Sequence, residues 1–255
     1  MITMFRAGAL ACILGLATLT SAAHAASGTE PAKQAWSFNG PLGTYDRAAL
    51  QRGYQIYKEG CAACHSMNQL YFRNLAALGF SEAEIKAIAS EYTVMDGPND
   101  QGEMFERPAR PSDHFKSPFA NEKAAAAANN GATPPDLSLI TKARHGGPDY
   151  LYGLLTGYTT PPATMQMPSG MTYNKMFPGH MIAMPAPLSD GQVTFADNTP
   201  ATVRQMARDV TTFLSWAAEP EMEARKRMGL KVMAYLLLLA GVMIALKKKV
   251  WSKVH

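Results

Sequence analysis

Apolar side chains recur at three- and four-residue spacing in several stretches of this chain, each opened by a recognisable helix-start residue. Val203, Met206, Ala207, Val210, Phe213, Leu214 and Ala217 form the longest stripe, with Thr199-Pro200 ahead of it as the entry signal. Asp46 precedes a second stripe, Leu50, Tyr54 and Tyr57, that runs into Cys61 on one face. Ser81 and Glu84 stand at capping-box spacing before Ile85 and Ile88. Pro148 opens another helix around Leu151, Leu154 and Leu155, which ends near Gly157. The alanine run Ala124–Ala128 also reads as helix. Strand-type alternation is sparse, and long Pro/Gly-rich connections fill 95–120 and 158–198. The pattern predicts a mainly α fold with extended loops and no internal repeat.

Both ends concern membranes, in different ways. Arg6, an apolar run from Ala7 to Leu19 and the small-residue ending Ala23-His24-Ala25 have the layout of a secretory signal, predicted over residues 1–25 with cleavage after Ala25. A retained anchor helix fits less well, because the apolar run is short. Cys12 leaves with this segment, so the mature chain keeps two cysteines and no structural disulfide is expected. Near the other end, Val232–Leu246 is uncharged and apolar. Such a run rises only about 22 Å as a helix, against about 30 Å of hydrocarbon. Met228, Gly229 and Leu230 extend it, Lys231 can snorkel, Trp251 can anchor at the interface, and Lys247-Lys248-Lys249 close it. The reading is an exported domain over 26–224, a transmembrane anchor over 225–249 and a short cytoplasmic tail over 250–255. About 200 residues before the anchor suffice for one domain with a sizeable core.

Charge follows the same division. The whole chain carries +4, but the segment from Arg225 onward is purely basic, leaving residues 26–224 at −5. An acidic exported domain argues against nucleic acid as a partner, and the basic tail belongs at a membrane lipid surface. Seven carboxylates between Glu82 and Glu106 are opposed only by Lys86. Such a patch either steers a basic soluble partner or simply keeps the domain soluble.

The chemistry centres on Cys61-Ala62-Ala63-Cys64-His65. Two thiols three residues apart can form thioethers to both vinyl groups of one porphyrin, and the following histidine can bind its iron. Zinc would need a second ligand pair, for which no cysteine remains. A thioredoxin-type redox pair would sit at a strand-to-helix junction, whereas these flanks are helical. One covalently attached haem c is the reading. His114, His145, His180 and several methionines compete for the sixth iron position. Met184, in the stiff loop Met184-Pro185-Ala186-Pro187, is the best placed methionine, with His180 its main rival. A histidine–methionine pair raises the reduction potential, as suits a late electron carrier.

Several blocks add a resemblance. Gly53-Tyr54-Gln55-Ile56-Tyr57, Asp96-Gly97-Pro98-Asn99, Ala128-Asn129-Asn130-Gly131, Pro134-Pro135-Asp136-Leu137-Ser138, Ala143-Arg144-His145-Gly146-Gly147, Phe177-Pro178-Gly179 and Arg225-Lys226-Arg227-Met228-Gly229-Leu230-Lys231 occur in order along nearly the whole mature chain. They resemble the cytochrome c1 family, the haem subunit of the quinol–cytochrome c oxidoreductase, in its bacterial form. That resemblance implies a cytochrome c-like haem domain with long loop insertions. It makes Cys61 and Cys64 the attachment residues, His65 and Met184 the axial ligands, Arg144 a propionate contact and Tyr150 a neighbour of the same propionate. It further implies cytochrome b and a Rieske iron–sulfur protein as partners, a basic c-type cytochrome as acceptor and a dimeric complex. The haem domain would be periplasmic, on a single-pass anchor in the bacterial inner membrane. The function implied is one-electron transfer within a redox enzyme complex. A stand-alone membrane-anchored carrier and a haem-based sensor are the other classes considered. The short tail offers no signalling domain for the sensor.

Overall fold

The computed structural model describes residues 29–253, so the signal reading over 1–25 and residues 254–255 lie outside the described residues. Asp46 caps the first helix, α1 (Arg47–Ile56), its carboxylate accepting from Ala48 N (2.9 Å) and Ala49 N (3.2 Å). Its apolar stripe is buried, and the helix then widens into one π-type turn, Tyr57–Cys61. A short 3-10 turn, Phe72–Leu78, buries Phe72, Leu75 and Leu78 before α2 (Glu82–Ser90). Ser81 and Glu84 form the reciprocal capping box that their spacing predicts.

A hairpin of β1 (Thr93–Asp96) and β2 (Phe105–Pro108) follows, paired antiparallel with Thr93 opposite Pro108. The alanine run forms α3 (Glu122–Ala128), capped by Asn121. Next come α4 (Ile140–Ala143) and α5 (Gly147–Thr156), with Pro148 in the first turn of α5 and Gly157 past its end. A second, minimal hairpin pairs β3 (Thr172–Tyr173) with β4 (Met181–Ile182). Helix α6 (Val203–Ala218) is capped by Thr202 Oγ1 rather than by Thr199; Pro200 lies before the cap. The final helix, α7 (Met222–Trp251), is the one described helix long and apolar enough to cross a membrane. Leu237 and Leu238 on it are about 70% exposed, as expected of a surface made for lipid.

The core lies where α1 crosses α6. Gly53 permits the approach: an added Cβ there would fall 2.2 Å from Asp209 O and 2.6 Å from Phe213 Cβ. Tyr54, Tyr57, Phe72, Phe115, Phe213 and Trp216 pack around this crossing. Arg52 joins it from α1 by two hydrogen bonds to the buried Asp209 carboxylate (2.7 and 3.1 Å) and one to Asp197 (2.6 Å). The base of α7 is docked on the same body. Met222 is buried, Glu223 accepts from Tyr45 N and pairs with Arg47, and Lys226 Nζ donates to Phe38 O (2.7 Å) and Gly43 O (3.0 Å).

Candidate haem-binding site

The π-type turn at the end of α1 shapes the cysteine motif. Ala62 N donates to Tyr57 O (2.8 Å), and Cys61 O accepts from both Cys64 N (3.1 Å) and His65 N (2.9 Å). This winding folds Cys61, Cys64 and His65 into one turn, with Cys61 half-buried and Cys64 exposed, both as free thiols. Burial pushes the Cys61 thiol up to about 12.

His65 is held from two sides. Its carbonyl accepts from Tyr57 Oη (3.3 Å), and its Nδ1 lies 2.8 Å from Pro135 O. A carbonyl oxygen only accepts, so Nδ1 carries the hydrogen and Nε2 keeps its lone pair. Burial keeps the ring below its usual pKa, outweighing the Pro135 hydrogen bond, and so favours the neutral form that a metal requires. The loop supplying Pro135 O is stitched alongside. Asp136 accepts from Ser66 Oγ, Asn68 N and Ser138 N, each at 2.8 Å, and Leu137 N donates to Ser66 O.

Arg144 and Tyr150 flank the Gly146-Gly147 entry into α5. Arg144 is exposed, donates only to Ala143 O (3.1 Å) and pairs with no carboxylate among the described residues. Tyr150 is half-buried. Met184 follows β4 and is half-buried; its carbonyl accepts from Tyr158 Oη (3.2 Å). Fully buried Asn174 ties this region to the end of α5. Its Nδ2 donates to Leu154 O (2.8 Å), and its Oδ1 accepts from Met176 N (2.9 Å) and Phe177 N (3.3 Å). His180, the rival ligand, turns its Nδ1 back toward Asn174 O (3.3 Å) and lies against Tyr173. His114 lies against Tyr71, ring centroids 3.9 Å apart and the rings tilted.

The structure thus gathers Cys61, Cys64 and His65 in one turn and Arg144 with Tyr150 at one helix entry. Met184 joins α5 through Tyr158 and Asn174. The supporting roles of Asp136, Asn174, Tyr57 and Tyr158 were missed in the residue pattern; only Asp136-Leu137-Ser138, an Asx-turn sequence, carried a local signal. The donor set fits a covalently bound haem: two free thiols on one turn, a neutral imidazole with Nε2 unengaged, and a thioether on a tethered loop.

These features define a helical protein with a Cys-Ala-Ala-Cys-His turn and one helix long and apolar enough to cross a membrane. The chain belongs to the cytochrome c1 family, whose model, described as "Cytochrome C1 family", matches residues 36–254. It is 50% identical over 238 residues to "Cytochrome c1" of Rhodospirillum rubrum, covering 87% of this chain and 88% of that one. It is 52% identical over 219 residues to "Cytochrome c1-2, heme protein, mitochondrial" of Solanum tuberosum, covering 86% and 84%. "Cytochrome b/c1" of Bradyrhizobium diazoefficiens is 51% identical over 276 residues; all of this chain is aligned, yet it spans only 40% of that longer protein.

Proposed function

We propose that this chain is the haem-carrying electron-transfer subunit of a quinol–cytochrome c oxidoreductase. It accepts one electron from a Rieske iron–sulfur protein and passes it to a soluble or tethered c-type cytochrome. The observation that carries the reading is the single turn holding Cys61, Cys64 and a tautomer-fixed His65. When bound, a haem supplies a one-electron iron couple. Cys61 and Cys64 would hold it by thioethers, while His65 Nε2 and the Met184 thioether would bind its iron. The Pro135 carbonyl orients the imidazole, and Tyr158 restrains the Met184 loop. Arg144, with no carboxylate partner among the described residues, would hold a propionate, and Tyr150 would lie beside it.

The chain makes and breaks no substrate bonds; quinol oxidation belongs to the assembly, with cytochrome b as neighbour. The "Cytochrome b/c1" relative, in which both names fall on one protein, supports that partner. Helix α7 would cross the bacterial inner membrane once, leaving the haem domain periplasmic and the basic tail cytoplasmic. The acidic stretch Glu82–Glu106, in which Glu91 pairs with Lys58 and Asp96 with Arg107, suits a basic acceptor, and the complex would be dimeric.

The test is purification from detergent-solubilised membranes, with haem-stained denaturing gels and identification of accompanying subunits. Co-elution with a b-type cytochrome and an iron–sulfur protein is expected. A haem-stained chain that elutes alone would establish a stand-alone carrier instead.

A further inference from the structure

Residues 29–38 run beside the segment carrying Arg144 and Tyr150 and touch it at successive points. The Pro31 ring sits over Gly146, where an added Cβ would meet Pro31 Cγ at 2.6 Å. Asp149 Oδ1 accepts from the Trp36 indole Nε1 (2.6 Å) and from Gln34 N (3.0 Å). Both hydrogen bonds reaching this carboxylate among the described residues therefore come from the N-terminal segment. Trp36 is buried, meets Tyr152 of α5 edge-on and is covered by Arg208 of α6, which also donates to Ala35 O. Thr29 Oγ1 extends the contact to Lys175 O (3.0 Å), ahead of β4 and Met184.

Gly146 and Gly147 have φ of 81° and 52°, and no side chain caps the start of α5. We propose that residues 29–38 are a strap that positions Arg144 and Tyr150, with Trp36 and Asp149 as the pair that fastens it. The inference rests on the haem reading of Cys61–His65 and adds a positioning role to residues outside that site. A guanidinium held at a propionate favours the reduced centre, because reduction adds negative charge beside it. Loosening the strap therefore lowers the reduction potential while leaving the thioethers and axial ligands alone.

The test uses Trp36→Ala, Trp36→Phe and Asp149→Asn in the full chain within its membrane complex. Haem-stained denaturing gels report attachment, hydrogen exchange reports seating of residues 34–38, and redox titration reports the potential. Trp36→Ala is expected to speed exchange across 34–38 by about tenfold, the scale of one lost buried hydrogen bond. It should also lower the potential, with attachment intact. Trp36→Phe keeps the apolar bulk but loses the N–H, and should move both in the same direction by less. Asp149→Asn keeps an acceptor oxygen for both donors and should keep wild-type exchange without lowering the potential. Wild-type potential alongside accelerated exchange in Trp36→Ala would overturn the strap, as would unchanged exchange in that variant. If Trp36→Ala does not accumulate, Trp36→Phe is judged by the same two outcomes. A wild-type chain without haem on the gel would overturn the underlying haem reading instead, and the gel separates the two failures.

Discussion

The His65 imidazole and the Pro135 carbonyl, 70 residues apart in sequence, meet at 2.8 Å, so the ring that closes the cysteine motif is oriented by a distant loop. Asp136 fastens that loop through Ser66, Asn68 and Ser138. Asp136→Ala leaves these donors without their acceptor and lets the ring turn. Partners of this kind are worth about tenfold or more in ligand affinity. Carbon monoxide binding to the reduced protein should rise by about that factor, with covalent attachment retained.

Met184→Leu keeps the apolar volume of the loop and removes its thioether. The reduction potential should fall by a large margin in a redox titration, with no change in haem-stained gels. A wild-type potential in this variant would remove Met184 as ligand and return attention to His180.

The crossing of α1 on α6 should be the most mutation-sensitive part of the fold. Gly53→Ala drives a Cβ into Asp209 O and Phe213, an overpacking of about 1–3 kcal/mol. Asp209→Ala leaves Arg52, which is 14% exposed, with Asp197 as its remaining carboxylate, and should cost about 1–3 kcal/mol. Replacing both charges together, Arg52→Met with Asp209→Leu, should be milder than Asp209→Ala alone. Thermal unfolding followed by circular dichroism ranks the three.

The β1–β2 hairpin should loosen in acid. Arg107 donates to Asp113 at 2.6 and 3.1 Å and also binds Asp96, and its guanidinium holds both carboxyls below their usual range. A carboxyl whose folded pKa is depressed stabilises the folded state above its unfolded value of about 3.9, and this contribution is lost as pH falls through the folded value. Hydrogen-exchange protection over 93–108 should therefore hold near about pH 5 and decline below about pH 4. Arg107→Gln should remove that acid dependence.

Much of this architecture was legible in the residue pattern because the deciding interactions are local. Asp46 and Ser81–Glu84 form their caps within one helical turn, the alanine run needs little beyond its own propensity, and α7 announces itself by length and apolarity. What escaped was set by contacts between distant segments. Both hairpins are two to four residues per strand and half-exposed, too short to show alternation. The start of α6 at Thr202 rather than Thr199 is fixed in part by Asp190 Oδ1, which accepts from Val203 N (2.7 Å). In the candidate site, the motif residues were visible by spacing, but Asn174 and Tyr158 act through backbone atoms of remote segments. No spacing rule marks such partners.

The mass of the intact chain, measured under denaturing conditions after purification from membranes, tests the central claim most directly. A polypeptide heavier by one haem, reduced to the bare chain when Cys61 and Cys64 are both replaced by serine, is the expected result. A wild-type chain that carries no added mass would contradict covalent attachment and, with it, the assignment of the Cys61–His65 turn.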